Sequence, residues 1–282
     1  MVFSNIRQVS VWVDESAPRR GAFAHALELA SRLAVPLRAV VPAAEGLRRL
    51  PAEPESAADR PIAELDAACR AACAERGVPL ECSVWEGTTA DGVQGFLCPS
   101  ALCVFGSALA DTAKVELVRQ ALGAEDVPIL VCPQVPHPVS RVLVLHQTPE
   151  LGDDFLKSVA EWCGALQVAP VVLALAGKER EALALQDTAQ QAWGALGLAA
   201  DFDVLVGCDV RTALASVARW RRCSHVIVAR PLSSSWWRWL RRDPLGRLLG
   251  LADSFGLLAL PAPRARRAQA EQLLQTHLAG GA

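Results

Sequence analysis

The chain has 282 residues, 52% of them apolar and 21% charged, and a net charge of −2. That length suits one large domain or two of about 100–150 residues, and the composition is globular rather than disordered. So even a charge balance does not describe a molecule built all over to bind polyanions, and no run reaches the ~18 apolar residues that a membrane span needs.

The first half opens with a β-rich run over 7–13 (Arg-Gln-Val-Ser-Val-Trp-Val). Apolar residues then recur at helical spacing through Phe23, Ala26, Leu27, Ala30 and Leu33, which predicts a helix over 17–34. Residues 36–41 are a short apolar strand of the kind buried on both faces. A polar loop over 43–60 precedes a helix over 62–76, closed by Gly77. A strand over 78–85, a helix over 88–97, a strand over 101–105, a helix over 112–122 and a strand over 128–132 complete the half.

Pro133, Pro136 and Pro138 mark a stiff, extended linker, and the pattern then restarts. Strands are predicted over 142–145, 171–175, 202–206, 226–229 and 257–260. Helices are predicted over 151–166, 179–196, 211–221 and 235–251, with Gly197 after the second. We therefore expect two tandem Rossmann-like three-layer α/β domains, 1–135 and 136–263, followed by a polar tail over 264–282. Regular strand–helix alternation implies right-handed crossovers and a five-stranded parallel sheet in each half, covered on both faces. Such sheets bind ligands beyond the carboxyl ends of their strands, where strand order reverses. The segments to inspect are those after the first and fourth strands of each half.

In the first half these read Val13-Asp14-Glu15-Ser16 and Phe105-Gly106-Ser107. Within this alternation, and with Trp85-Glu86-Gly87-Thr88 before the third helix, the chain resembles the universal stress protein family over about 6–133 and 140–261. The resemblance implies strand order 3-2-1-4-5 in each half. It implies candidate nucleotide-binding roles for Asp14 on ribose or adenine, for Val41 through its backbone, and for Gly106 and Ser107 at the phosphates. It also implies a pseudo-dimer of the two halves through their last strands. The family's glycine loop has the form G-x2-G-x9-G-[S/T]; here Leu109 and Arg119 stand where the later glycines belong. Asp111 precedes the next helix as an N-cap, and its carboxylate would fill the positive helix end that a phosphate requires.

In the second half, His146 stands where Asp14 stood and Arg230 where Gly106 stood. The segment after Arg230 resembles the stress-protein module of bacterial potassium-sensing histidine kinases. It supplies Arg230, Ser233, Ser235, Arg238 and Arg241 as candidate anion- or partner-binding residues. Asp243 and Pro244 form a good helix start that again puts a carboxylate at the anion position.

Charge is unevenly divided. Residues 1–135 carry a net of −5 and residues 136–282 a net of +3, and residues 219–242 hold seven Arg and no acid. The Trp residues of that segment are expected to pack on the sheet while its Arg face water; binding to nucleic acid or a membrane surface is the disfavoured reading. Cys69 and Cys73 share a helical face without further ligands nearby, so they read as core and no metal is expected. His25 reads as a solvated or edge residue of the first helix, and His146 as the more interesting histidine. Nine Cys without a disulfide spacing, and a start with no basic region ahead of a long apolar one, point to the cytoplasm. No Ser–His–Asp set, paired carboxylates or complete glycine loop is present, so no catalysis is expected. The expectation is a regulatory or scaffold protein of stress response with degenerate nucleotide sites, no cofactor, and a protein partner or self-association. The alternative is a sensor of ATP, AMP or a cyclic dinucleotide.

Overall fold

The computed structural model describes residues 6–13, 21–42, 62–85, 95–98, 100–107, 112–123, 127–147, 152–230 and 249–261. Ten strands form a single sheet: β1 Gln8–Trp12, β2 Leu37–Pro42, β3 Leu80–Trp85, β4 Ala101–Gly106, β5 Ile129–Cys132, β6 Arg141–His146, β7 Ala169–Ala176, β8 Asp201–Val206, β9 His225–Arg230 and β10 Gly256–Pro261. Among the described residues the helices between them are α1 Gly21–Leu33, α2 Ile62–Glu75, α3 Thr112–Gly123, α4 Gly152–Leu166, α5 Glu179–Ala195 and α6 Val210–Trp220. The predicted helices over 88–97 and 235–251 fall mostly outside the described residues, as does the tail.

Strand order is β3-β2-β1-β4-β5-β10-β9-β6-β7-β8. Each half contributes its strands in the order 3-2-1-4-5, and pairing within a half is parallel throughout. The last strands of the two five-stranded sheets lie side by side. β5 and β10 pair antiparallel, with Leu130 opposite Leu258 and Ile129 opposite Ala259, so the two sheets become one. The physical reason lies in the strands themselves. Every residue of β5 and β10 is buried, and an apolar strand with a free edge would be a site of uncontrolled pairing.

Apolar residues alternate between the sheet's two faces. Val9 and Val11 of β1 join a core that runs beneath α1, α2, α4 and α5 and includes residues of both halves. Trp12, Phe105, Val226 and Leu257 join a second core on the opposite face, beneath α3 and α6. Neither core stops at the junction between the halves. The outer strand β8 is protected by charge: Arg221 holds Asp203 through two hydrogen bonds, Nε at 2.9 Å and Nη2 at 2.5 Å, and Arg141 pairs with Asp201.

Two further features shape the junction. α2 and α5 end at Gly77 (φ 65°) and Gly197 (φ 66°), but α1, α4 and α6 turn through the same left-handed region at Ala34, Gln167 and Arg222. The linker is no free spacer. The Gly21 N–H donates to the Gln134 carbonyl at 3.0 Å, the Val139 N–H to Glu28 Oε1 at 3.2 Å, and Arg32 Nη1 to the Val139 carbonyl at 2.6 Å. Arg32 also caps the carboxyl end of α4 at the Leu166 carbonyl, so α1 grips both the linker and the second half.

Candidate functional site

The candidate site of the first half lies where the neighbouring strands β1 and β4 end, since β2 leaves β1 to one side and β5 leaves β4 to the other. Gly106 is the last residue of β4 and lies in register with Cys132. The next residue, Ser107, is buried at 4% exposure. Its N–H donates to the Cys132 carbonyl at 2.7 Å, and its own carbonyl accepts from Gln134 Nε2 at 2.8 Å. A phosphate loop needs free backbone donors at this point. The N–H of Ser107 is already committed to the sheet. The Ser107 hydroxyl has no partner among the described residues. Val41 is buried at the end of β2, in register with Val84. Asp14 and Asp111 lie outside the described residues, so of the four candidates for nucleotide contact the structure places Val41, Gly106 and Ser107.

In the second half the corresponding strand ends are those of β6 and β9. His146 closes β6 and is wholly buried, and neither ring nitrogen has a partner among the described residues. Burial pushes its pKa down to about 4, so the ring is neutral at physiological pH. Arg230 closes β9, in register with Pro261. Ser233, Ser235, Arg238, Arg241 and Asp243 lie outside the described residues.

The described part of the basic, Trp-rich segment, residues 219–230, does not form one surface. Arg219 and Trp220 are the last residues of α6 and Arg222 follows it, before β9 begins, whereas Arg230 is at the far end of β9. A six-residue strand separates them by roughly 17 Å. Trp220 also departs from the expectation that these Trp residues pack on the sheet. It is 69% exposed, with the Arg221 guanidinium 4.3 Å from its ring centroid.

Cysteines and histidines divide differently. All nine Cys are free, and burial pushes the Cys69 thiol up to about 12 and the Cys82 thiol to about 11. Such thiols are neither nucleophiles nor ready metal ligands. No group of three or more His, Cys, Asp or Glu suited to a metal occurs among the described residues. His25 is corrected from a solvated or edge residue to a buried one. It faces the second half, where its ring meets that of His225 edge to face at 6.0 Å between centroids. Sequence reasoning missed this pair, because a helix residue and a strand residue 200 positions apart share no local signal. One weak signal was available: Gly256 stands in register with His225 and leaves room for its ring.

No protein-family model matches the sequence, and no curated protein matches it significantly. Solved structures do resemble it. A universal stress protein from Archaeoglobus fulgidus superposes with a TM-score of 0.63 at 12% identity, over 92% of this chain and 97% of that one. The fold is that of the universal stress proteins, in tandem. A functionally unknown protein from Pseudomonas aeruginosa gives 0.61 at 13% identity, over 96% and 98% of the two chains. The cytoplasmic domain of a prokaryotic cation chloride cotransporter gives 0.54 at 12% identity, over 90% and 95%. The universal stress protein likeness thus spans both halves together and not one module alone. Among the described residues no helix is long and apolar enough to cross a membrane.

Proposed function

We propose that this chain is a non-catalytic, cytoplasmic regulator or scaffold on the tandem universal stress protein fold, with degenerate nucleotide sites. The observation that carries the reading is the backbone at the end of β4. The Ser107 N–H donates within the sheet, and Gln134 from the linker occupies the Ser107 carbonyl. The second half supports it, since a neutral, buried His146 stands where a ribose-binding carboxylate would be needed. With both strand-end sites altered, the joined sheet and its two through-running cores become what the fold offers: a rigid frame for a protein partner or a second copy.

A second reading, a sensor of ATP, AMP or a cyclic dinucleotide, is favoured by one feature. The Ser107 hydroxyl is buried without a partner among the described residues, and buried polar groups are ordinarily satisfied. Titration calorimetry with ATP, AMP and cyclic dinucleotides separates the two. Under the scaffold reading none gives saturable heat at micromolar affinity, and the purified chain carries no nucleotide. Micromolar binding that is lost in Asp14→Ala overturns it in favour of the sensor.

A further inference from the structure

The linker leaves β5 between the first-half site and the junction of the halves. Three histidines converge along its path. His25 projects from α1, His137 lies on the linker and His225 begins β9. His25 and His225 are both buried, and their rings touch edge to face at 6.0 Å. The His25 ring lies beside the linker carbonyls of Pro133 and Val135, and Nε2 of His225 has no hydrogen-bond partner among the described residues. His225 Nδ1 lies 3.0 Å from Ser224 Oγ. We propose that the His25–His225 contact is an acid-sensitive latch, closed by neutral rings, that holds α1 and the linker on the second half.

The charges around the pair come from every element packed against it. α1 supplies Glu28 and Arg32, the linker supplies His137, β9 supplies His225 alone, and β5 supplies Cys132, whose thiol burial keeps protonated. Desolvation, the largest effect, and then the neighbouring positive groups push His25 down to about 4, against the opposing pull of the Val135 and Pro133 carbonyls, and push His225 down to about 3. The one carboxylate, Glu28, is engaged by Arg32 at 3.5 Å and by the Val139 N–H. A proton arriving on either ring therefore meets no free anion, and two protonated rings would repel each other in a dry contact. Opening the latch relieves this by letting water reach the rings.

The linker carries the consequence to the first-half site. Gln134 is held by the Gly21 N–H at its carbonyl and donates its side chain to Ser107. Loosening α1 from the linker removes the Gly21 anchor of Gln134. The latch thus couples α1 and the linker to the second half in a pH-responsive way, and it stands whether or not a nucleotide binds near Ser107.

The sign and size follow from linkage. An ordinary histidine takes up its proton near pH 6.5, so the open form gains protons as pH falls below that value while the closed form does not. By pH 5.5 each histidine raises the opening equilibrium about tenfold, and the pair about a hundredfold. The test is hydrogen exchange on the full chain at pH 7.5 and 5.5, corrected for intrinsic rates and read over residues 21–33 and 133–140. The natural chain should show about a hundredfold loss of protection there, and His25→Gln and His225→Gln about tenfold each. An equal loss in the variants, or none in the natural chain, overturns the latch. Should the variants not fold, proton NMR of the five histidines in the natural chain decides. Two junction rings still neutral at pH 5.5 support the latch. Ordinary titration of all five overturns it.

Discussion

Gly256 offers a sharp test of how the two halves are fitted. It begins β10 opposite His225, and both residues are buried. A methyl group at this position would stand 2.9 Å from His225 Cγ and nearer still to Cδ2 and Nε2. The ring is fully buried, and the His25 ring packs against it with centroids 6.0 Å apart. Overpacking of a close-packed site costs about 1–3 kcal/mol, and contact with the stem of the ring as well as its rim places Gly256→Ala near the upper end, about 3 kcal/mol. In a chain of this size that lowers Tm by roughly 5 °C. Urea unfolding at pH 7.5, followed by Trp fluorescence, should be run on the natural chain, Gly256→Ala, His225→Ala and the double variant. His225→Ala alone costs the packing of its ring. Added to that variant, Gly256→Ala should be neutral within about 0.5 kcal/mol, because its collision partner is gone. The cycle should therefore show a coupling of about 2–3 kcal/mol. Additive effects, or a harmless Gly256→Ala in the natural chain, would refute the reasoning that the ring fills the space a side chain at position 256 would need.

Two other outcomes follow from buried groups and backbone. The folded-state pKa of His146 is lowered to about 4, so its stabilising contribution is complete above pH 6.5 and is lost as pH falls toward 4. Between pH 7.5 and 5.5 it accounts for a loss of about 1.4 kcal/mol, and His146→Leu should flatten the pH dependence of the urea midpoint by that amount; identical slopes in the two proteins would show a solvated ring. Ala34 adopts φ 53° at the turn after α1. Ala34→Gly relieves a left-handed alanine at some cost in unfolded-chain entropy and should raise stability by about 0.5–1 kcal/mol in a thermal melt.

The site was partly legible before the fold was known. Gly106 and Ser107 follow an apolar run that could only be a buried strand, and strand-end position marks a candidate in any parallel α/β sheet. What the Ser107 N–H does was not legible, because its acceptor, Cys132, belongs to a strand separated from it by a whole helix. His25 was misplaced for a related reason. Periodicity assigns a helix face relative to its own domain, and this face is covered by the other one.

The amino-acid order alone determined the local elements and their repetition. Apolar runs of five or six residues alternating with 3.6-residue periodicity admit a parallel layered sheet and little else. Those signals are local, so they survive in a single sequence. Tertiary structure alone decided the rest. It set β5 antiparallel to β10 in one continuous sheet, folded the linker along α1, parted Trp220 from Arg230 and brought His25 against His225. Each of these depends on pairs far apart in the chain, held by burial of shared surface, and which distant surface covers a buried face has no signature in the spacing of neighbouring residues.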